Sequence, residues 1–254
     1  MVILIGGGFM YINAHDHLDF YKDLDDAIKI INQKSIYTLA VSMDIDDFLY
    51  LETIKNPLIK IGFGIHPWKV EEDTKTDNLE YFIKKADFIG EIGLDFYWEK
   101  RKDLYPKQVE IFEFFLQMAK KHKKVCNIHT KGAELETLLL LEKYELKGQI
   151  IHWYSGDLNL LDRYLKLDSY FTISSDIGYS KKTDELIKLL PLNRILTETD
   201  GPSSLEWVNG EYGNPDYIID IVSYVAKIKK LKISEVKNTI FSNLLELNKK
   251  QTYL

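Results

Sequence analysis

Cysteine is almost absent from this sequence. Cys126 is the only one in 254 residues, which excludes an intrachain disulfide framework and fits a reducing compartment. Proline and glycine are scarce, at 6 and 14 residues, too few for a collagen-like or linker chain. No run approaches the ~18 consecutive apolar residues of a membrane span. The opening segment Met1-Val2-Ile3-Leu4-Ile5-Gly6-Gly7-Gly8-Phe9 lacks the basic and apolar regions of a secretory signal. The expected location is therefore the cytoplasm, with no membrane partner. Positive charge is not in excess either: 33 Lys and Arg against 39 Asp and Glu give a net charge of -6. That argues against binding nucleic acid mainly through a strong positive field, and leaves room for an enzyme that touches a few phosphates or holds them on metal ions.

What is present is an ordinary globular composition, 45% hydrophobic and 28% charged, in a chain long enough for a large core without staples. Short β-branched runs alternate with longer amphipathic segments. The strands are expected at 11–14, 36–43, 59–65, 88–92, 125–129, 149–153, 170–174 and 194–199. Helices are expected at 23–33, 46–55, 79–86, 105–122, 133–144, 158–167, 183–190, 216–229 and 234–248, with a long loop after the eighth strand. The clearest helix puts Val109, Phe112, Phe115, Leu116 and Ala119 on one stripe. About eight β/α units without a hairpin signal predict an α/β protein with a closed (β/α)8 TIM barrel. The alternative, an open doubly wound sheet, would carry a glycine-rich loop after its first strand, whereas Gly6–Gly8 precedes it. Residues 10–254 are expected to form one domain, with residues 1–9 a short extension.

Five of the six histidines fall at or just beyond the C-terminal end of an expected strand: His15, His17, His66, His129 and His152. Glu91 lies on strand four and Asp200 follows strand eight. In a barrel these ends converge on one mouth, where active sites sit. Four imidazoles and two carboxylates suit borderline divalent metals. His15 and His17, two apart on extended chain, point the same way. Six candidates exceed the three protein ligands of a single catalytic zinc, so two ions are expected, with Glu91 able to bridge them. Two metals ~3.5–4 Å apart suit hydrolysis, with Asp200 available to ligate an ion and to take the proton from water.

The segments Ala14-His15-Asp16-His17-Leu18-Asp19, Gly64-Ile65-His66-Pro67, Gly90-Glu91-Ile92-Gly93-Leu94-Asp95-Phe96, Ile128-His129-Thr130-Lys131, Ile151-His152-Trp153-Tyr154-Ser155-Gly156 and Glu198-Thr199-Asp200-Gly201-Pro202 resemble the TatD family of metal-dependent deoxyribonucleases, within the amidohydrolase superfamily. The resemblance spans nearly the whole chain in order. It implies a TIM barrel, two divalent ions (Mg, Mn or Zn), and phosphodiester cleavage, with release of nucleotides from DNA 3′ ends. It assigns His15, His17, Glu91 and Asp200 to one metal and Glu91, His129 and His152 to the second. Asp200 becomes the general base, and His66 sits near the substrate phosphate. Two departures bear on substrate preference. Asn13 stands where the family start commonly has Asp, and Glu211-Tyr212-Gly213-Asn214-Pro215 lacks the family's basic residue and Asn-Glu-Pro. The His-Trp-Tyr-Ser-Gly and Glu-Thr-Asp-Gly-Pro spellings also resemble a branch found in bacterial anti-phage gene clusters, which implies protein partners in a defence system.

Beside the ligands, Trp153 and Tyr154 are candidates to stack on bases, as are Trp68, Tyr97 and Trp98, all of which could equally pack loops. Lys131, Arg101 and Lys102 are placed to meet a phosphate. Lys120-Lys121-His122-Lys123-Lys124 reads as a solvated helix end, and Cys126 as barrel packing. The substrate is expected to be single-stranded DNA or a 3′ end, taken by a monomer. The competing readings are hydrolysis of a small ester, lactone or amide on the same barrel, or a partner-dependent component of a defence complex.

Overall fold

The computed structural model describes residues 10–249, so the expected extension 1–9 lies outside the described residues. Eight strands form one parallel sheet in the order of the chain: β1 Tyr11–Asp16, β2 Ile36–Ala40, β3 Ile59–Phe63, β4 Phe88–Asp95, β5 Cys126–Lys131, β6 Ile150–Ile151, β7 Tyr170–Ile173 and β8 Ile195–Thr197. The helices between and after them are α1 Leu24–Lys34, α2 Ile45–Leu51, α3 Leu79–Lys85, α4 Tyr105–His122, α5 Glu134–Tyr144, α6 Leu161–Lys166, α7 Lys181–Leu189, α8 Ser203–Asn209, α9 Ile218–Lys229 and α10 Ile233–Lys249. This alternation is the (β/α)8 barrel fold. The segment expected as a long loop after β8 contains α8.

Local chemistry sets the helix ends. The Asp23, Asp44 and Ser180 side chains cap α1, α2 and α7 by accepting the backbone N–H of Asp26, Asp47 and Thr183. Pro106 opens α4, and Lys123 closes it in the left-handed conformation.

Two compact units divide the described residues, one of 10–40, 56–59 and 171–249, the other of 41–55 and 60–170. In the first, β8 lies against β1: the Thr197 hydroxyl donates to the Ile12 carbonyl at 2.6 Å. Helices α9 and α10 bury Ile221, Val222, Val225, Ile240 and Leu244, and α10 packs on β1 and β8. In the second, Phe48, Phe63, Phe82 and Phe115 form an aromatic cluster with ring centroids 5.2 to 6.1 Å apart. Each buried ring of this kind contributes roughly 1.5–3 kcal/mol. These cores hold the strand ends, and the strand ends carry the polar residues.

Candidate metal centre

In the first unit the donors come from the end of β1 and the segment after β8. His15 is fully buried and His17 nearly so. Their Nε2 atoms lie 3.4 Å apart, and each is 3.5 Å from Oδ1 of Asp200. Asp200 holds φ +47°, a left-handed value uncommon away from glycine, while its N–H donates to the His15 carbonyl at 3.1 Å. A carboxylate oxygen of the buried Glu198 lies within 4.8 Å of a His15 ring nitrogen.

The loop carrying Asp200 is tied to β1 by Asp16, to which the sequence reading gave no role, and by Asn13, noted there only as a departure from the family start. Asp16 accepts from Asn13 Nδ2 at 2.9 Å, from the Gly201 N–H at 3.1 Å and from the Tyr21 hydroxyl at 3.2 Å. Burial pushes its carboxyl up to about 7 despite His17 and Tyr21 beside it. Asn13 also donates to Thr199 Oγ1 at 2.7 Å and accepts the Thr199 N–H at 2.9 Å. The amide at position 13 is thus matched to its place: a carboxylate there could donate neither bond.

In the second unit three histidines converge on one oxygen. Glu91 Oε1, on β4 and 2% exposed, lies 3.0 Å from His129 Nδ1, 3.1 Å from His152 Nε2 and 3.4 Å from His66 Nε2. His66 accepts the Trp68 N–H on Nδ1, which leaves Nε2 facing the cluster. The strands approach this closely because small residues stand between them. A Cβ on Gly64 would meet the Glu91 carbonyl oxygen at 2.1 Å, and one on Gly93 the His129 carbonyl oxygen at 1.9 Å.

Asp95, at the end of β4, completes the arrangement and was not among the expected site residues. Its Oδ2 lies 3.0 Å from His129 Nε2 and accepts Trp68 Nε1–H at 2.7 Å. Its Oδ1 accepts the N–H groups of Tyr97 at 2.9 Å and Trp98 at 2.7 Å. Burial opposes the charge, but these donors and the His129 ring hold the Asp95 carboxyl at about 2. Burial likewise opposes a charged His129, yet the two carboxylates raise that ring to about 9. A carboxylate holding one ring nitrogen while the other faces a donor cluster is the usual support of a metal-ligating histidine. The available signal was parity: Asp95 is four residues from Glu91 on one strand and so faces the same way.

The other expected residues divide. Lys131 reaches Ser155 Oγ at 2.8 Å, with its ammonium 5.7 Å from the centre of the Tyr97 ring. Trp153 is half-buried at φ +35°. Tyr154 is 1% exposed; its hydroxyl donates to the Asp157 carbonyl at 2.7 Å and its ring meets Tyr164 edge-on. It offers no open face to a base. The Arg101 guanidinium is taken up by Glu71 and Glu99. Lys120, Lys121 and His122 pair with Glu145 and Glu80, as a solvated helix end does. Burial pushes the Cys126 thiol well up, which makes it inert packing.

Both donor sets fit divalent ions. Each brings imidazole nitrogens and carboxylate oxygen into a space of a few ångströms, an arrangement of facing lone pairs that a cation satisfies. Comparison with known proteins agrees in kind. Residues 12–249 match the family described as TatD related DNase, and the chain belongs to that family; it is a TatD-type metal-dependent hydrolase. An uncharacterized metal-dependent hydrolase of Methanocaldococcus jannaschii is 29% identical over 251 residues, covering 95% of this chain and 98% of that protein. The human protein named deoxyribonuclease TATDN3 is 25% identical over 269 residues, covering 97% of each. Among solved structures, the TatD homologue YJJV of Escherichia coli superposes with a TM-score of 0.81 at 21% identity, over 93% of this chain and 97% of that one. A TatD family protein of Entamoeba histolytica gives 0.79 at 17% identity, over 94% and 98%. Among the described residues no helix is long and apolar enough to cross a membrane.

Proposed function

We propose that this protein is a metal-dependent deoxyribonuclease that hydrolyses phosphodiester bonds at DNA 3′ ends. His15, His17 and Asp200 hold one divalent ion, and Glu91, His129 and His152 a second. The convergence of three histidine nitrogens on Glu91 Oε1 carries the proposal, and the family membership and the human relative's name support it. Such ions, Mg2+, Mn2+ or Zn2+, would supply Lewis acidity at the phosphoryl oxygens and lower the pKa of water, Zn2+ most of the three.

The chain's own residues do the rest. Asp200 accepts the proton of the attacking water on its carboxylate. Asp95 holds the His129 ring in one orientation, with Nε2–H directed at Oδ2 and the Nδ1 lone pair at the cluster. His66 and Lys131 meet the non-bridging phosphate oxygens. A net charge of -6 suits an enzyme that gathers DNA through ions and a few cations rather than through a broad positive face. We place its action in the cytoplasm.

The test is cleavage of end-labelled single-stranded and 3′-recessed DNA with Mg2+ or Mn2+. A ladder that EDTA and Asp200→Asn both abolish, shortening from the 3′ end, is the expected result. A ladder that persists in the Asp200→Asn protein would remove Asp200 from the reaction.

A further inference from the structure

The loop after β4 exposes two large aromatic side chains. Tyr97 is 52% and Trp98 57% exposed, with ring centroids 4.7 Å apart at 87°. The loop is held in place: both backbone N–H groups donate to Asp95 Oδ1, and the other oxygen of that carboxylate engages His129. One side chain therefore fixes the aromatic loop to a candidate metal ligand. From the adjacent loop Gly132 presses on Tyr97, where an added Cβ would lie 3.1 Å from the Tyr97 Cβ.

Two cations attend the same ring. Lys131, two residues past His129 on β5, has its ammonium 5.7 Å from the Tyr97 ring centre, and Lys100 lies at 5.2 Å. Lys131 bonds to the Ser155 hydroxyl and Lys100 to the Tyr97 carbonyl. Among the described residues no carboxylate pairs with either. Exposed rings with cations beside one of them offer what single-stranded nucleic acid requires: faces for bases and ammonium groups for phosphates.

We infer that Tyr97, Trp98 and Lys131 form the subsite for the terminal nucleotides of single-stranded DNA, with bases stacked on the two rings and Lys131 on the backbone phosphate. The inference rests on the nuclease reading and names the part of the chain that selects an unpaired strand. It replaces Tyr154, whose ring is buried.

The test is equilibrium binding by fluorescence anisotropy. Protein carrying Asp200→Asn, loaded with Mg2+, is titrated against a short 5′-labelled single strand, and against the same strand with abasic residues at its 3′ end. Removing a stacked base costs about 5- to 150-fold in affinity. Adding Tyr97→Ala and Trp98→Ala should weaken the intact strand by at least a factor in that range and leave the already weaker abasic strand where it was. Tyr97→Phe with Trp98→Phe should restore binding to the parent value. Lys131→Ala should weaken both strands together and reduce the salt dependence by roughly one phosphate contact. If the double alanine variant binds the intact strand as tightly as its parent, or loses both strands equally, the subsite is wrong while the nuclease reading stands. If the parent binds neither strand, both fall.

Discussion

Replacing Asp95 with Asn tests whether one carboxylate organises the second donor set. The Asp95 side chain faces four groups, all donors in the arrangement described: the Tyr97 and Trp98 N–H, Trp68 Nε1 and His129 Nε2. A carboxylate accepts all four, whereas Asn has a single acceptor oxygen and an NH2 that can only donate. Whichever way the amide turns, one pair of donors faces another donor. Leaving one or two donors unsatisfied, according to which nitrogen of His129 keeps its proton, costs about 1–3 kcal/mol each. A second route gives a similar size: holding the carboxyl near 2 instead of its ordinary 3.8 corresponds to about 2–3 kcal/mol at neutral pH. The expected loss is therefore roughly 2–4 kcal/mol. His129 would also be free to carry its proton on Nδ1, toward Glu91, so divalent affinity should drop about 10- to 100-fold. Denaturant unfolding of the EDTA-treated protein and calorimetric titration with Mn2+ measure the two effects. Unfolding and Mn2+ titration curves that overlay those of the parent would refute the role given to Asp95.

Four further outcomes follow from the same geometry. With His129 raised from its ordinary 6.5 to about 9, its stabilisation of the metal-free protein is fully present below pH 6.5 and is lost as pH rises through about 9, so the Tm in EDTA should fall across that interval and His129→Gln should remove the fall. Metal binding at about pH 7.5 must strip that same proton, so calorimetry in two buffers of different ionisation enthalpy should report release of about one proton; no release would show the ring already neutral. Gly93→Ala drives a Cβ to 1.9 Å from the His129 carbonyl oxygen and should abolish soluble, folded protein. The control Gly210→Ala, with nothing within 4 Å, should cost only the roughly 1–2 kcal/mol of a left-handed alanine. Finally, Asn13→Asp sets a carboxylate against Asp16 and should lower stability by about 1–3 kcal/mol. The deficit should shrink as pH falls and the pair shares a proton; a Tm equal to the parent at every pH would contradict it.

The strand order and nearly all helices were readable because their burial is periodic: α4 buries Ile111, Phe112, Phe115, Leu116 and Ala119 at helical spacing, and β4 is apolar enough to stand out. Helix α8 was not, because seven residues beginning Ser203-Ser204 offer less than two turns of pattern after Gly201-Pro202. The proposed metal donors stood out by their chemistry and by their place at strand ends. Their support was harder to see, since nothing in composition distinguishes a carboxylate that faces an ion from one that steadies the ligand behind it. Asp16 and Asp95 acquire their roles only from what surrounds them: Asn13, Tyr21 and Gly201 in one case, His129, Trp68 and the Tyr97–Trp98 backbone in the other. Tyr154 misled for a related reason. Standing two residues past His152 put it near the ligand in sequence, but its hydroxyl has a carbonyl partner within its own loop, and that bond turns the ring into the core.

The link between metal and DNA cleavage is tested most directly by occupancy. The measurement is release of nucleotide from a 3′-labelled single strand by protein freed of metal and then titrated with Mn2+, with bound metal counted on the same samples. Activity that is absent at zero occupancy and rises to its limit as two ions per chain are taken up is the predicted result. Cleavage that continues in the metal-free protein, or fully loaded protein that leaves the strand intact, would contradict it.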